Sequence, residues 1–131
     1  MERGKRSLTY LDTHVLLWLY DKKIERFSTQ AKELINHSQL RISPIVTLEL
    51  EYLIEIGRVA GEVAIILDFF IQNLELQICG TPFANVTRAA QREKFTRDPF
   101  DRLIVAQARL NEAALITADE KMIDNYQGSI I

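Results

Sequence analysis

Short β-type runs set between longer stretches of helical spacing constrain this chain more than any other feature. "LTYLD" (8–12) reads as a buried strand, after which "THVLLWLY" shifts to helical periodicity. "LRIS" (40–43), "LELQIC" (74–79) and "ALIT" (114–117) read as further strands, and the closing "SII" as an edge strand. Between them, helices are expected over "STQAKELINH" (28–37), "PIVTLELEYLIEIG" (44–57), "AGEVAIILDFFIQ" (60–72) and "PFANVTRAAQREKF" (82–95). Another begins within "RDPFDRLIVAQARL", and "DEKMIDNY" (119–126) forms a short last one. Ser28 and Thr29 are cap candidates, Pro44 suits a first helical turn, and Gly57 suits a helix end. Strands alternating with helices specify an α/β domain with a mainly parallel sheet and helices on both faces.

The chain has 131 residues, 47% hydrophobic and 26% charged, with no repeat or linker, so one domain over 1–131 is expected. A single cysteine, Cys79, excludes an internal disulfide and suits a reducing compartment. His14 and His37 with one cysteine cannot furnish a zinc cluster, so any metal must be held mainly by oxygen. That selects hard cations such as Mg²⁺ or Mn²⁺. Arg3, Lys5 and Arg6 ahead of an apolar run faintly resemble a signal peptide. Asp12 and His14 interrupt the run, which is also too short and polar to span a bilayer, so a cytoplasmic protein is expected. A net charge of -2 exerts no global pull on nucleic acid, so any such contact must be local.

Acidic residues fall where a site would form. Asp12 closes the first strand and Asp119 lies just beyond "ALIT"; side chains past strand carboxyl ends gather at the crevice of a parallel sheet. Asp98 and Asp101 start a helix that can reach the same edge. In the helix from Pro44, Glu49, Glu51 and Glu55 compete for a fourth place. Ile45, Leu48, Leu53 and Ile56 trace an apolar face with Glu49 at its margin, while Glu51 and Glu55 read as solvated surface. Every one of these acids has a structural reading too: Asp12, Asp98 and Asp119 are all placed to cap helices.

The whole pattern resembles a PIN-domain ribonuclease, in particular the VapC-like toxins of type II toxin–antitoxin pairs. "YLDTHVLLWL" (10–19) is similar to the family's first motif and "RDPFDRLIVAQA" (97–108) to its third; both are long matches. "LITADEKM" (115–122) matches the fourth and "SPIVTLELEYL" (43–53), more loosely, the second. The resemblance implies a PIN-like three-layer α/β/α sandwich and a Mg²⁺- or Mn²⁺-dependent endoribonuclease. By position, Asp12, Glu49, Asp101 and Asp119 match the four acidic metal ligands. Asp98 matches the extra acid of an Asp-Pro-Phe-Asp subgroup and is assigned to capping or support, as is Thr117 of "TADE". It further implies cleavage leaving a 5′-phosphate, a homodimer, and a cognate antitoxin.

For RNA, Arg88, Arg92, Lys94, Arg97 and Arg102 crowd the segment beside the third motif as candidate phosphate contacts, or as a mixed-charge surface. Trp18 and Phe100 are candidates for base stacking or, sitting in apolar runs, for the core. Two rival functions stand beside the nuclease. A catalytically silent PIN-like interaction module would not need all four acids. A phospho-acceptor regulator would want adjacent acids after the first strand, where Asp12 is followed by Thr13.

Overall fold

A computed structural model describes residues 7–131; Arg3, Lys5 and Arg6 lie outside that range. Five strands form one wholly parallel sheet: β1 (Leu8–Leu11), β2 (Gln39–Ile42), β3 (Gln77–Ile78), β4 (Ala114–Ile116) and β5 (Ser129–Ile130), in the spatial order β3-β2-β1-β4-β5. Seven helices flank it: α1 (Thr13–Tyr20), α2 (Thr29–His37), α3 (Pro44–Glu55), α4 (Val63–Leu74), α5 (Phe83–Ala90), α6 (Pro99–Leu110) and α7 (Glu120–Asn125). The expected α/β/α sandwich is what forms. The chain builds outward from β1 to β3 and then returns to place β4 on the other side of β1. That reversal makes the carboxyl ends of β1 and β4 the topological switch point, where open parallel sheets bind ligands.

The central strands are apolar because both faces are covered. Tyr10, Leu11, Ile42, Leu115 and Ile116 are buried in one cluster with Leu16, Val46, Leu50, Phe70 and Ile104 from the helices. Val86, Ala90 and Ala106 form a smaller cluster where α5 meets α6. Local chemistry starts the helices. Ser28 and Asp98 accept hydrogen bonds from the first backbone N–H groups of α2 and α6 as expected, and Pro44 and Pro99 open α3 and α6. Ser43, expected in the strand over 40–43, instead follows β2 and caps α3. Gly57, at φ +78°, provides the left-handed turn that ends α3.

Several boundaries differ from expectation, each for a visible reason. The helix expected from residue 60 begins at Val63, because Gly61 sits at φ +119° and Glu62 is extended. It then runs on to Leu74, leaving Glu75 left-handed at its end. The strand expected over 74–79 therefore shrinks to Gln77–Ile78. The helix expected over 82–95 stops at Ala90, where the Arg102 guanidinium takes the carbonyls of Ala90 and Gln91. The face of α3 is also different: Val46, Glu49, Leu50 and Leu53 are buried, whereas Leu48 is 57% and Ile56 48% exposed. Glu51 and Glu55 are exposed, as expected. Among the described residues, no helix is long and apolar enough to cross a membrane.

Candidate functional site

The register of the sheet builds the first half of the site. Leu11 pairs with Ile116, and one further rung, from the Asp12 N–H to the Ile116 carbonyl, sets Asp12 beside Thr117. The Thr117 hydroxyl donates to Asp12 Oδ2 at 2.7 Å, and the Thr13 N–H donates to Oδ1 at 2.8 Å as α1 begins. Both oxygens of Asp12 are thus oriented, and the side chain is only 6% exposed. Thr117 also accepts the Asp119 N–H at 3.0 Å, while Asp119 Oδ1 accepts the Met122 N–H and caps α7.

Glu49 enters from the neighbouring strand end. Ser43, at the end of β2, caps α3, and the second turn of that helix carries Glu49 inward to 9% exposure. It lies on the buried face of α3 itself, not at the margin. Its Oε1 accepts the hydroxyl of Thr13, a fully buried residue that sequence reasoning read only as a helix start. The one signal available was its adjacency to Asp12. Ser43 in turn donates to Gln107 Oε1 at 2.6 Å, tying the start of α3 to α6. Gln107 is a second buried polar residue that an apolar helix pattern concealed.

Asp98 and Asp101 sit together at the start of α6. Asp98 is exposed, and its Oδ1 accepts the Phe100 N–H at 2.9 Å. Asp101, in the same first turn, accepts no hydrogen bond among the described residues and is half-buried. Its carboxyl is pushed up to about 7, first by burial and then by the charges of Asp98, Asp12, Asp119 and Glu49. Burial likewise raises Asp12, against the hydrogen bonds of Thr117 and Thr13, and raises Glu49, against that of Thr13. Five acids from four elements therefore occupy one electrostatic neighbourhood. His14, exposed on α1, adds positive potential toward Asp12 and Glu49.

Among the described residues, no three His, Cys, Asp or Glu side chains stand gathered tightly enough to hold an ion as they lie. The electrostatic coupling and this openness are compatible: like charges spread, and Thr13 and Thr117 hydroxyls already occupy one oxygen each of Glu49 and Asp12. The donors are all carboxylate oxygens, the set that suits a hard divalent cation.

The aromatic candidates are packed. Trp18 meets Phe27 edge-on and lies under Arg26, and Phe100 tilts against Tyr52 across the contact of α3 with α6. Arg102 is committed to the end of α5, whereas Arg88, Arg92, Lys94 and Arg97 are exposed.

A model of the PIN domain family matches residues 9–127. The chain belongs to the PIN-domain family. It is 33% identical over 116 residues to Ribonuclease VapC22 of Mycobacterium tuberculosis (strain ATCC 25618 / H37Rv), a match spanning 86% of this chain and 87% of that protein. Among solved structures, VapBC2 from Rickettsia felis bound to a promoter DNA fragment superposes with a TM-score of 0.67 at 21% identity, covering 94% of this chain and 96% of that one. DNA-bound VapBC from Salmonella typhimurium gives 0.64 at 22% identity, with 95% and 96% covered. At such identities these structures bear on the PIN fold alone.

Proposed function

We propose that this PIN-domain protein is a Mg²⁺- or Mn²⁺-dependent endoribonuclease, the toxin half of a VapBC-type toxin–antitoxin pair acting in the cytoplasm. The observation that carries the reading is that the charges of Asp98, Asp12, Asp119 and Glu49 all bear on the half-buried Asp101 and, after burial, help to push its carboxyl up to about 7. Likeness to a protein named a ribonuclease supports the substrate class.

Asp12 and Asp101 would be the principal ligands, with Glu49 and Asp119 completing the set. When bound, a divalent cation lowers the pKa of a coordinated water and offsets charge on the phosphodiester. The chain's own residues prepare for this. Thr117 and the Thr13 N–H hold both oxygens of Asp12, so the carboxylate is oriented before binding. Asp98 starts α6 and, by its cap, fixes the turn that carries Asp101. Exposed Arg88, Arg92, Lys94 and Arg97 would meet the phosphates that an acidic pocket by itself repels.

The exposed apolar side chains Leu48 and Tyr52 on α3, Ile56 just past its end, and Ile65 and Phe69 on α4 support a homodimer contact and a cognate antitoxin as partners. Solved relatives described as toxin–antitoxin or VapBC assemblies agree with the second.

An RNA cleavage assay with Mg²⁺, repeated with EDTA and with Asp12→Asn and Asp101→Asn, tests the reading. Cleavage is expected from the wild type alone and only with the cation. Undiminished cleavage by either variant overturns the site; folded, metal-loaded wild type that cuts no RNA favours the silent interaction module.

A further inference from the structure

Thr13 is tied to two acids from two different elements. It is fully buried at the first position of α1, where its N–H donates to Asp12 Oδ1 and its hydroxyl to Glu49 Oε1. We propose that Thr13 is a positioning residue for Glu49, whose Oε1 it holds by the buried hydroxyl so that Oε2 is left as the cation ligand. This rests on the acid cluster being a cation site, and it adds to that reading a residue that does not itself touch the ion.

Side-chain chemistry and two observations build the case. A glutamate side chain has three free torsions, so one terminating in a carboxylate cluster needs an external restraint to keep its oxygens aimed. The Thr13 hydroxyl provides a short one, because a single torsion joins it to the backbone of α1. The division of labour between the oxygens is asymmetric: Oε1 takes the Thr13 hydroxyl, while Oε2 accepts no hydrogen bond among the described residues. Asp12 shows the same device on the other flank, where the Thr117 hydroxyl takes Oδ2. Two threonines thus clamp the acids contributed by β1 and α3. Groups that orient metal ligands in this way commonly change metal affinity by about 10- to 100-fold when removed.

Titration calorimetry of the RNA-free protein with MnCl₂ tests this, with thermal unfolding as the control for folding. Thr13→Val keeps the shape and loses the donor, and is expected to weaken Mn²⁺ binding by about 10- to 100-fold. Thr13→Ser restores the hydroxyl and should bind close to wild type. If Thr13 acts through Glu49, adding Thr13→Val to Glu49→Gln should cause little further loss. Should Thr13→Val fail to fold, Thr13→Ala against Thr13→Ser carries the same comparison. Wild-type affinity in Thr13→Val, or losses that simply add in the double variant, overturns the role of Thr13 while leaving the cation site standing. A wild type that binds no Mn²⁺ overturns both.

Discussion

Asp101 holds a proton far above the range of an ordinary aspartate, and that has a consequence for stability. Its unfolded-state carboxyl titrates near 4, and the folded one near 7. Between those values the folded protein binds more protons than the unfolded chain, so stability falls as pH rises through this window. Below it both forms are protonated and the penalty vanishes; above it the penalty is complete. In EDTA, Asp101→Asn should therefore melt a few degrees above wild type at pH 8 and lose that advantage at pH 4, as read by calorimetry. The helix start favours a negative charge by only about 0.3–1 kcal/mol, too little to reverse the sign. A variant less stable than wild type at pH 8 would contradict the crowding of charge. Asp98 gives a second residue-level prediction. Asp98→Asn keeps the cap on Phe100 but removes a charge beside Asp101, so the Asp101 titration followed by NMR should move down from about 7. Asp98→Ala also loses the cap, at about 1 kcal/mol of stability in denaturant melts.

At the scale of elements, α3 is the most informative. Its sequence is apolar on most sides, so spacing alone admits more than one inward face. The structure selects Val46, Glu49, Leu50 and Leu53, a choice that sends Leu48 outward and Glu49 in. Leu50→Ala should then cost about 2–5 kcal/mol of stability, because it empties a fully buried position. Leu48→Ala should cost within about 0.5 kcal/mol in urea unfolding of the monomer. Equal losses would return the inward face to the Ile45–Leu48 side. The ends of α4 and α5 teach a related lesson. The helical pattern runs past the real ends of both helices, yet Gly61, left-handed Glu75 and the Arg102 side chain decide where each begins or stops.

For the molecule as a whole, the fold brings the charges of Asp12, Glu49, Asp98 and Asp119 to bear on Asp101 at one edge of the domain. Folding this edge without a counter-ion is costly, so a divalent cation should stabilise the protein by mass action. At about 100 times the dissociation constant the gain is about 2.7 kcal/mol, several degrees in melting temperature. That gain should be larger at pH 8 than at pH 5, since protonated carboxyls do not ligate. Melting curves with MnCl₂ at both pH values check it; an equal shift at the two would remove the carboxylates from the binding step.

The amino-acid order alone determined the strand–helix alternation, the caps at Ser28, Asp98 and Asp119, the proline helix starts, and the positions of the candidate acids. Such features depend on neighbours within a turn or two, which periodicity and capping chemistry record directly. Only the tertiary structure decided which α3 face turns inward, and that Thr13 and Gln107 belong to the polar framework. The bonds responsible join residues 36 and 64 positions apart. No local pattern encodes those separations; the packing of α3 brings the partners within reach.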